Sequence, residues 1–323
     1  MRKRSLLLIL GLLAFVPFTE GKTKAKAKAP DAEELLQKGI SAFYNYEFEE
    51  AADLFDEYRE KLNKQKKPLD EELEIYELRN EIASGALERV QKITIVDSIS
   101  VDRDKFFEVY KLAESAGKIG NLADLKLKNA FPGMKTTDSE LEGVGIAFIS
   151  ENGDYVFTTI EEDIKDGDEI ITTSVLKESR RLLNGEWENR ETLEGDLEKS
   201  GDFLYPFMSG DGQTFYFANN GEDSMGGLDI FVAQKDPLTG QFLQPLNLGM
   251  PFNSPYDDFM MAIDEEKGVG WWATDRNSED GKVTVYVYKL EEIRKNYPPD
   301  TDNLVDYAKI TNWRNQNQGS EGK

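Results

Sequence analysis

The sequence predicts a multidomain α+β protein in which a group of α-helices precedes an all-β domain. Apolar residues recur at helical spacing from residue 31 to about residue 91. After residue 92, short runs of alternating β-branched and aromatic residues indicate strands instead. The β part also repeats itself with a period of about 55–60 residues, which predicts an architecture built from copies of one strand unit.

The first 21 residues have the order of a secretory signal peptide. Basic residues at 2–4 precede the apolar stretch Leu6–Phe18, and Thr19-Glu20-Gly21 offers small residues for cleavage. The alternative is a membrane anchor, but the apolar stretch has 13 residues, whereas a membrane span needs about 20. We therefore expect cleavage after Gly21, export, and no transmembrane span in the mature chain.

Residues 22–30 are expected to form a flexible basic linker, because Lys alternates there with small residues. The rest of the chain is strongly acidic. The net charge of the 323 residues is −23. Removing residues 1–21 takes away three basic residues and one acidic residue, which leaves −25. Such a surface repels phosphate backbones, so we expect no nucleic-acid partner.

The chain contains no cysteine and no histidine. Without cysteine, no lipid can be attached through a thiol, so a lipoprotein is not expected. Without histidine, Ser-His-Asp and Cys-His relays and His- or Cys-ligated zinc sites are excluded. Only carboxylates, Lys, Tyr, Ser and Thr remain for catalysis, and we expect no cofactor and no enzymatic activity.

Residues 31–91 predict three helices. Asp31 can cap the first, because a side-chain oxygen at this position accepts a free backbone N–H. Asn45-Tyr46 breaks the chain before a second helix that starts at about Phe48, and the third begins near Leu69. The apolar residues assigned to the third helix are Leu73, Leu78, Ile82 and Leu87.

The first two helices resemble a tetratricopeptide repeat. Gly39, Phe48, Ala51 and Phe55 match the positions at which the two helices of that repeat cross closely. Leu35 stands where the family prefers Trp, and Ala42 where it prefers Tyr. The alternative is an unrelated helical hairpin.

Residues 92–295 predict the β domain. Each repeat unit begins with an acid, followed by a strand, a turn and a second apolar strand; the acids are Glu142, Asp202 and Asp258. Third strands are expected at 169–175, 229–233 and 283–288, and fourth strands near Trp187 and 242–248. Four antiparallel strands in each repeat are typical of a β-propeller blade. Three units do not close a ring, so further blades are expected from 93–141 or after residue 290.

The middle unit closely resembles the WD40-like propeller repeat of Tol-type periplasmic proteins. The resemblance rests on residues 209–218, 226–231, 247–249 and 252–259. It implies a protein of the Gram-negative cell envelope, periplasmic or associated with the outer membrane. Residues 296–323 are expected to be a partly disordered C-terminal tail.

Several polar and aromatic groups are candidate sites. The acids at 142, 202 and 258 could converge in a channel as glycosidase carboxylates do, or each could accept backbone N–H bonds in a turn. The acidic loop around Asp163, Asp166, Asp168 and Glu169 is either a calcium site or a solvated loop. Of Trp271 and Trp272, one is expected in the core, and the other between blades or at a ligand. The predicted partner-binding residues are Tyr44, Tyr46, Phe252, Tyr256, Asp257 and Asp258.

The function that these patterns favour is an exported, non-catalytic scaffold that binds envelope proteins through its helical repeats and its propeller. The alternatives are a carboxylate-based glycoside hydrolase and a glycan- or calcium-binding propeller module, of which glycan binding is not favoured.

Overall fold

The computed structural model describes residues 31–127, 144–166, 169–189, 193, 197, 200–290 and 304–310. The residues of the predicted signal peptide and of the predicted basic linker, Glu142 and the residues after 310 lie outside these ranges. Helices come first and antiparallel strands follow, so the predicted α+β layout is confirmed. No helix in the described ranges is long and apolar enough to cross a membrane.

Three helices open the described part of the chain: α1 (Ala32–Tyr44), α2 (Phe48–Gln65) and α3 (Glu71–Leu87). Helix α3 begins after Asp70, whose side chain accepts the N–H of Glu72. Leu73 is buried as expected, but Leu78 is exposed. The buried face of α3 instead includes Asn80, which periodicity of apolar residues alone does not indicate.

The helices α1 and α2 cross closely at Gly39. A Cβ atom added there would lie 2.6 Å from Cδ1 of Phe55, which is itself buried. Glycine is therefore required by this crossing, as the spacing of Gly39 and Phe55 suggested.

The first sheet has five strands in the spatial order β2-β3-β4-β5-β6. They are β2 (Lys118–Asn121), β3 (Ile146–Ile149), β4 (Tyr155–Asp166), β5 (Glu169–Arg181) and β6 (Trp187–Asn189). The last four follow the predicted unit of strands. Strand β2 pairs with the other edge of β3, so this part of the predicted 93–141 region extends an existing sheet.

The second sheet has four strands in the order β7-β8-β9-β10. They are β7 (Phe203–Met208), β8 (Thr214–Asn219), β9 (Asp229–Gln234) and β10 (Leu246–Asn247). The predicted fourth strand at 242–248 is reduced to two residues, with Phe242 forming one isolated bridge to Lys235.

The third sheet takes its fourth strand from far upstream. Its order is β11-β12-β13-β1, with β1 (Ile95–Asp102), β11 (Asp258–Asp264), β12 (Val269–Thr274) and β13 (Lys282–Lys289). Strand β1 pairs with β13 and has an irregularity in register between Ile95 and Asp97. Residues after β1 form two 3-10 helices, Arg103–Val109 and Glu114–Ala116.

The sheets stack through their first strands. Strand β7 packs on β3, β4 and β5 of the first sheet, and β11 packs on β7, β8 and β9 of the second. Aromatic rings fill these contacts: Phe148 lies 4.8 Å from Phe207, and Tyr205 stacks 4.7 Å from Phe259. The described residues form three sheets, because β1 and β2 join existing sheets and do not build a further one.

Helices and sheets share buried contacts. Met225 and Met250, which lie in loops of the β part, belong to the same buried apolar cluster as α1, α2 and α3. A fourth helix, α4 (Leu304–Lys309), falls within the predicted C-terminal tail and buries Ala308 in this cluster. Residues from Ala32 onward accordingly group as one compact unit by contact.

Candidate partner-binding site at the junction of helices and sheets

The structure brings the six predicted partner-binding residues together at one place, which we call the junction. At the junction, the turn between α1 and α2 contacts the loop that leads from β10 into β11. The end of α1 contributes Tyr44 and the following turn Tyr46. The loop contributes Phe252, Tyr256 and Asp257, and β11 begins with Asp258.

A tyrosine contact joins the two parts of the junction. The rings of Tyr44 and Tyr256 lie 5.2 Å apart, and the Tyr256 hydroxyl donates to the carbonyl of Tyr44 at 3.5 Å. The hydroxyl of Tyr44 lies 3.4 Å from that of Tyr76 on α3. Burial is the main cause that raises the pKa of Tyr44, so its phenol stays neutral at physiological pH. This contact docks the helices on the β part and leaves both rings partly buried.

Tyr46 and Phe252 are buried apolar contacts of the junction. Burial raises the pKa of Tyr46 to about 12, and the ammonium of Lys309 lies 5.3 Å from the centre of its ring. Phe252 packs edge-on against Trp272 at 5.3 Å. Neither side chain presents appreciable surface to a partner in this conformation.

Arg276 organises the polar centre of the junction. Its side chain is fully buried, and its guanidinium donates to the carbonyls of Pro251 at 2.8 Å, Phe252 at 2.5 Å and Ala308 at 3.0 Å. It also forms an ion pair with the buried carboxylate of Asp258. One arginine therefore ties the loop before β11, the start of β11 and helix α4 together.

Two buried carboxylates of this centre have raised pKa values. The pKa of Asp258 is raised to about 6 by burial, although Arg276 and the Ser254 hydroxyl, which donates at 2.5 Å, act in the opposite direction. The pKa of Asp229 on β9 is raised to about 8, again chiefly by burial. Its Oδ2 accepts from the N–H of Met225 at 2.9 Å, while its Oδ1 has no donor among the described residues.

A second charged cluster lies beside the first. Arg103, from the 3-10 helix after β1, contacts Asp257 at 2.7 Å and Asp275 at 3.3 Å. The pKa of Asp275 is raised to about 7, first by burial and then by the neighbouring charge of Asp257. The N–H of Asp257 donates to Asp275 at 2.9 Å, and Asp257 itself accepts the N–H of Leu228 at 2.9 Å. Every one of these groups therefore has a partner within the fold.

The residues that carry the resemblance to propeller repeats hold the second and third sheets together. Asn253 accepts from the N–H of Ile230 and donates to its carbonyl, both at 2.8 Å. Gly226 faces the same loop, and a Cβ atom there would lie 2.5 Å from the carbonyl oxygen of Tyr256. These motif residues are explained by packing and hydrogen bonding.

The strand register shows which acids occupy equivalent positions in the second and third sheets, and it differs from the alignment of the sequence repeats. Phe203 pairs with Asn219 and Asp258 pairs with Thr274, so Asp258 is the counterpart of Phe203. The counterpart of Asp202 is therefore Asp257, one residue earlier than the sequence alignment placed it. Equivalent bulges follow in both strands, with Tyr205 at φ 55° and Met260 at φ 52°.

The hydrogen bonds agree with this alignment. The N–H of Asp202 donates to the side chain of Asn220 at 2.7 Å. The N–H of Asp257 donates to the side chain of Asp275 at 2.9 Å. Asp202 accepts the N–H of Ser174 at 3.0 Å, as Asp257 accepts that of Leu228. Asp202 and Asp257 thus each accept a backbone N–H bond in addition to their side-chain contacts, whereas the carboxylate of Asp258 is held by the side chains of Ser254 and Arg276.

The other candidate groups are separate from the junction or belong to the core. Trp271 and Trp272 are both buried, the first near Tyr110 and the second stacked on Tyr286. Asp163 accepts from Thr172 at 2.8 Å. The side chains of Asp166, Asp168 and Glu169 lie outside the described residues. Within the described ranges, no group of three or more acidic side chains is placed to hold a metal ion.

Sequence reasoning missed the two arginines of the junction. Arg276 closely follows the strand Val269–Thr274, and no pattern in the sequence marks it. Arg103 lies 154 residues from Asp257, so no local spacing relates the two. A buried arginine leaves no signature in a single sequence, because its polarity is typical of a surface position.

The chain matches no protein-family model and no curated protein. Functional inference therefore depends on the geometry of the described residues.

Proposed function

We propose that this chain is an exported, non-catalytic scaffold of the cell envelope that binds other proteins through a tetratricopeptide-like helical module and a WD40-like propeller domain. The observation that carries the proposal is the junction. Arg276 and Asp258 are fully buried and are bonded to each other and to the fold. The charged groups with perturbed pKa values hold elements together, and the result is a rigid body that offers surface for contact.

The arrangement of the sheets supports the propeller part of the proposal. Each sheet has consecutive antiparallel strands, and the first strand of one sheet packs on the face of the preceding sheet. Strand β1 completes the last sheet beside β13. Radial stacking of four-stranded sheets is typical of propellers, and it leaves only short strand edges.

The charge supports a protein partner that is basic or neutral. At −25 after removal of the leader, the chain attracts positively charged surfaces and repels nucleic acid. Association is expected to weaken as salt screens the charges. The signal peptide and the absence of cysteine support a periplasmic or outer-membrane-associated position without a lipid anchor.

Crosslinking in intact cells tests the proposal. Photoreactive residues at exposed positions such as Ile75 on α3 and Leu238 in the β part are expected to capture one or a few defined envelope proteins. Surface replacement is preferable to deletion of residues 31–91, because deletion would expose Met225 and Met250. Absence of any specific crosslink from every position would contradict the proposal.

An enzyme assay tests the glycosidase alternative. The purified chain is expected to show no turnover of glycans, since Asp258 cannot reach a substrate from its buried position. Asp202→Asn and Asp258→Asn are expected to change only the stability of the protein. Hydrolysis of sugar linkages by the purified chain, lost in either variant, would establish the alternative. A melting temperature that rises with calcium and falls with EDTA would favour a calcium-binding module instead.

A further inference from the structure

We propose that a groove between α2 and α3 binds an extended peptide segment of a partner protein through lysine or arginine side chains. This inference rests on the proposed function and specifies one site and one partner chemistry for it.

One face of each helix forms the groove. Its volume is about 440 Å³, and α1 contributes no residue to its lining. Phe48 and Phe55 are buried at the floor of the groove, and the small residues Ala52 and Gly85 place no bulky side chain in its walls. A Cβ atom at Gly85 would meet only the far end of the Arg89 side chain, at 3.6 Å. The side chains of α2 and α3 therefore leave an open groove between the outward faces of these two helices.

A buried hydrogen-bond acceptor without a donor lies in the lining. Asn80 is 5% exposed, and its Nδ2 donates to the carbonyl of Phe48 at 2.9 Å. Its Oδ1 has no donor among the described residues. Buried polar atoms are nearly always hydrogen-bonded in folded proteins, so the bonding of this acceptor is incomplete among the described residues. Because the atom is itself buried, a donor of a bound peptide would reach it only after the Asn80 side chain turned toward the groove.

The rim of the groove is acidic. Glu49, Asp56 and Glu81 are exposed along it, and no basic side chain belongs to the lining in the described part of the chain. The fourth acid, Glu77, is already paired with Arg59 at the edge. Glu49, Asp56 and Glu81 form no salt bridge among the described residues, and three such carboxylates around an apolar floor favour a segment that carries both cationic and apolar atoms.

Peptide binding tests the site. The probe is a fluorescent peptide in which Lys alternates with Ala, and a peptide with Glu in place of Lys is its control. We expect the full chain to bind the Lys peptide with an affinity that falls as salt rises, and to leave the Glu peptide unbound.

Charge reversal gives the decisive comparison. Glu49→Lys with Glu81→Lys is expected to weaken binding by about tenfold or more, because two attractive contacts become repulsive. Glu50→Lys with Glu57→Lys changes the net charge equally at exposed positions of α2 outside the groove, and is expected to leave binding unchanged. Ala52→Trp fills the groove from an exposed position without altering charge, and is expected to abolish binding while the circular dichroism spectrum is retained.

Three outcomes would overturn the inference. Equal loss in both charge-reversal pairs would mean attraction to net charge alone, and failure of the Lys peptide to bind would remove the site. Tighter binding after Lys22, Lys24, Lys26 and Lys28 are changed to Ser would make this chain's own basic linker, residues 22–30, the occupant. If crosslinking in cells still captures partners in any of these cases, only the site is wrong and the scaffold function stands. If crosslinking captures none, the function itself fails.

Discussion

Arg276 shows how much depends on a single side chain in this protein. Its guanidinium is the common partner of two loop carbonyls, one carbonyl of α4 and the carboxylate of Asp258. Two charges removed from water are tolerated here only because each is bonded to the other and to further groups. Loss of one partner leaves the other charged and buried.

We predict that Arg276→Ala destabilises the protein by about 3–5 kcal/mol, because Asp258 would be left as an unpaired buried carboxylate. Arg59→Ala is the control, since Arg59 forms a partly exposed pair with Glu77, and its expected cost is below about 1 kcal/mol. Chemical denaturation measures both. Equal effects of the two substitutions would show that burial of the Arg276 pair is unimportant.

A pH dependence follows from Asp229. Its pKa is raised from 3.8 to about 8 in the folded state by burial, so folding favours the protonated acid. The free energy of unfolding should therefore decrease as the pH rises from about 4 to about 8, by an amount on the order of a few kcal/mol for this group. Below pH 4 the acid is protonated in both states and its titration contributes nothing further.

Asp229→Asn tests this dependence. The amide does not titrate, so only the wild type should lose stability through this group as the pH rises from about 4 to about 8. The unfolding free energy of the variant should therefore increase relative to that of the wild type over this range. Asp236→Asn, in the loop after β9, removes the same charge outside this buried site and is the matched control. A constant difference across this range would show that Asp229 does not titrate as its burial implies.

At the scale of elements, periodicity and turn residues predicted the helices and most strands. The three helices, the three pairs of strands in the repeat units and their third strands all follow from local patterns, because amphipathic spacing depends only on neighbouring residues. Strand partners did not follow. The pairing of β1 with β13 joins residues far apart in the sequence, and no local pattern specifies that choice.

The crossing of α1 and α2 gives a prediction at this scale. Gly39→Ala is expected to destabilise the protein by about 1–3 kcal/mol, because the new methyl would overlap the buried ring of Phe55. Gly85→Ala is the matched control within α3, where the methyl has room, and it is expected to stabilise by about 0.5–1 kcal/mol. Thermal or chemical denaturation distinguishes the two signs. Stabilisation by both substitutions would contradict the close crossing.

At the scale of the whole molecule, the helices pack on the β part through an apolar cluster to which both contribute. Met225 and Met250 of the β part lie in the apolar cluster of the helices, and Arg276 links the sheets to α4. A helical module that shares its core in this way is not expected to unfold independently.

We therefore predict a single unfolding transition. Far-ultraviolet circular dichroism, which reports mainly on the helices, and tryptophan fluorescence, to which the buried Trp271 and Trp272 of the third sheet contribute, should give coincident curves. An earlier loss of the helical signal would show that the junction does not couple the two parts.

The sequence by itself determined the class of the protein, the order of its elements, its acidic charge and the exclusion of histidine and cysteine chemistry, because composition and periodicity are local properties. Only the tertiary structure decided that Asp257 and not Asp258 is the counterpart of Asp202, that β1 completes the last sheet, and that the predicted partner-binding residues meet at a buried junction. These outcomes depend on strand register, on bulges and on contacts across more than 100 residues. Both strands carry the same bulge, so the pairing of Asp258 with Thr274 and of Phe203 with Asn219 sets which acid is buried. That register is fixed by packing against other elements rather than by the residues of the strand alone.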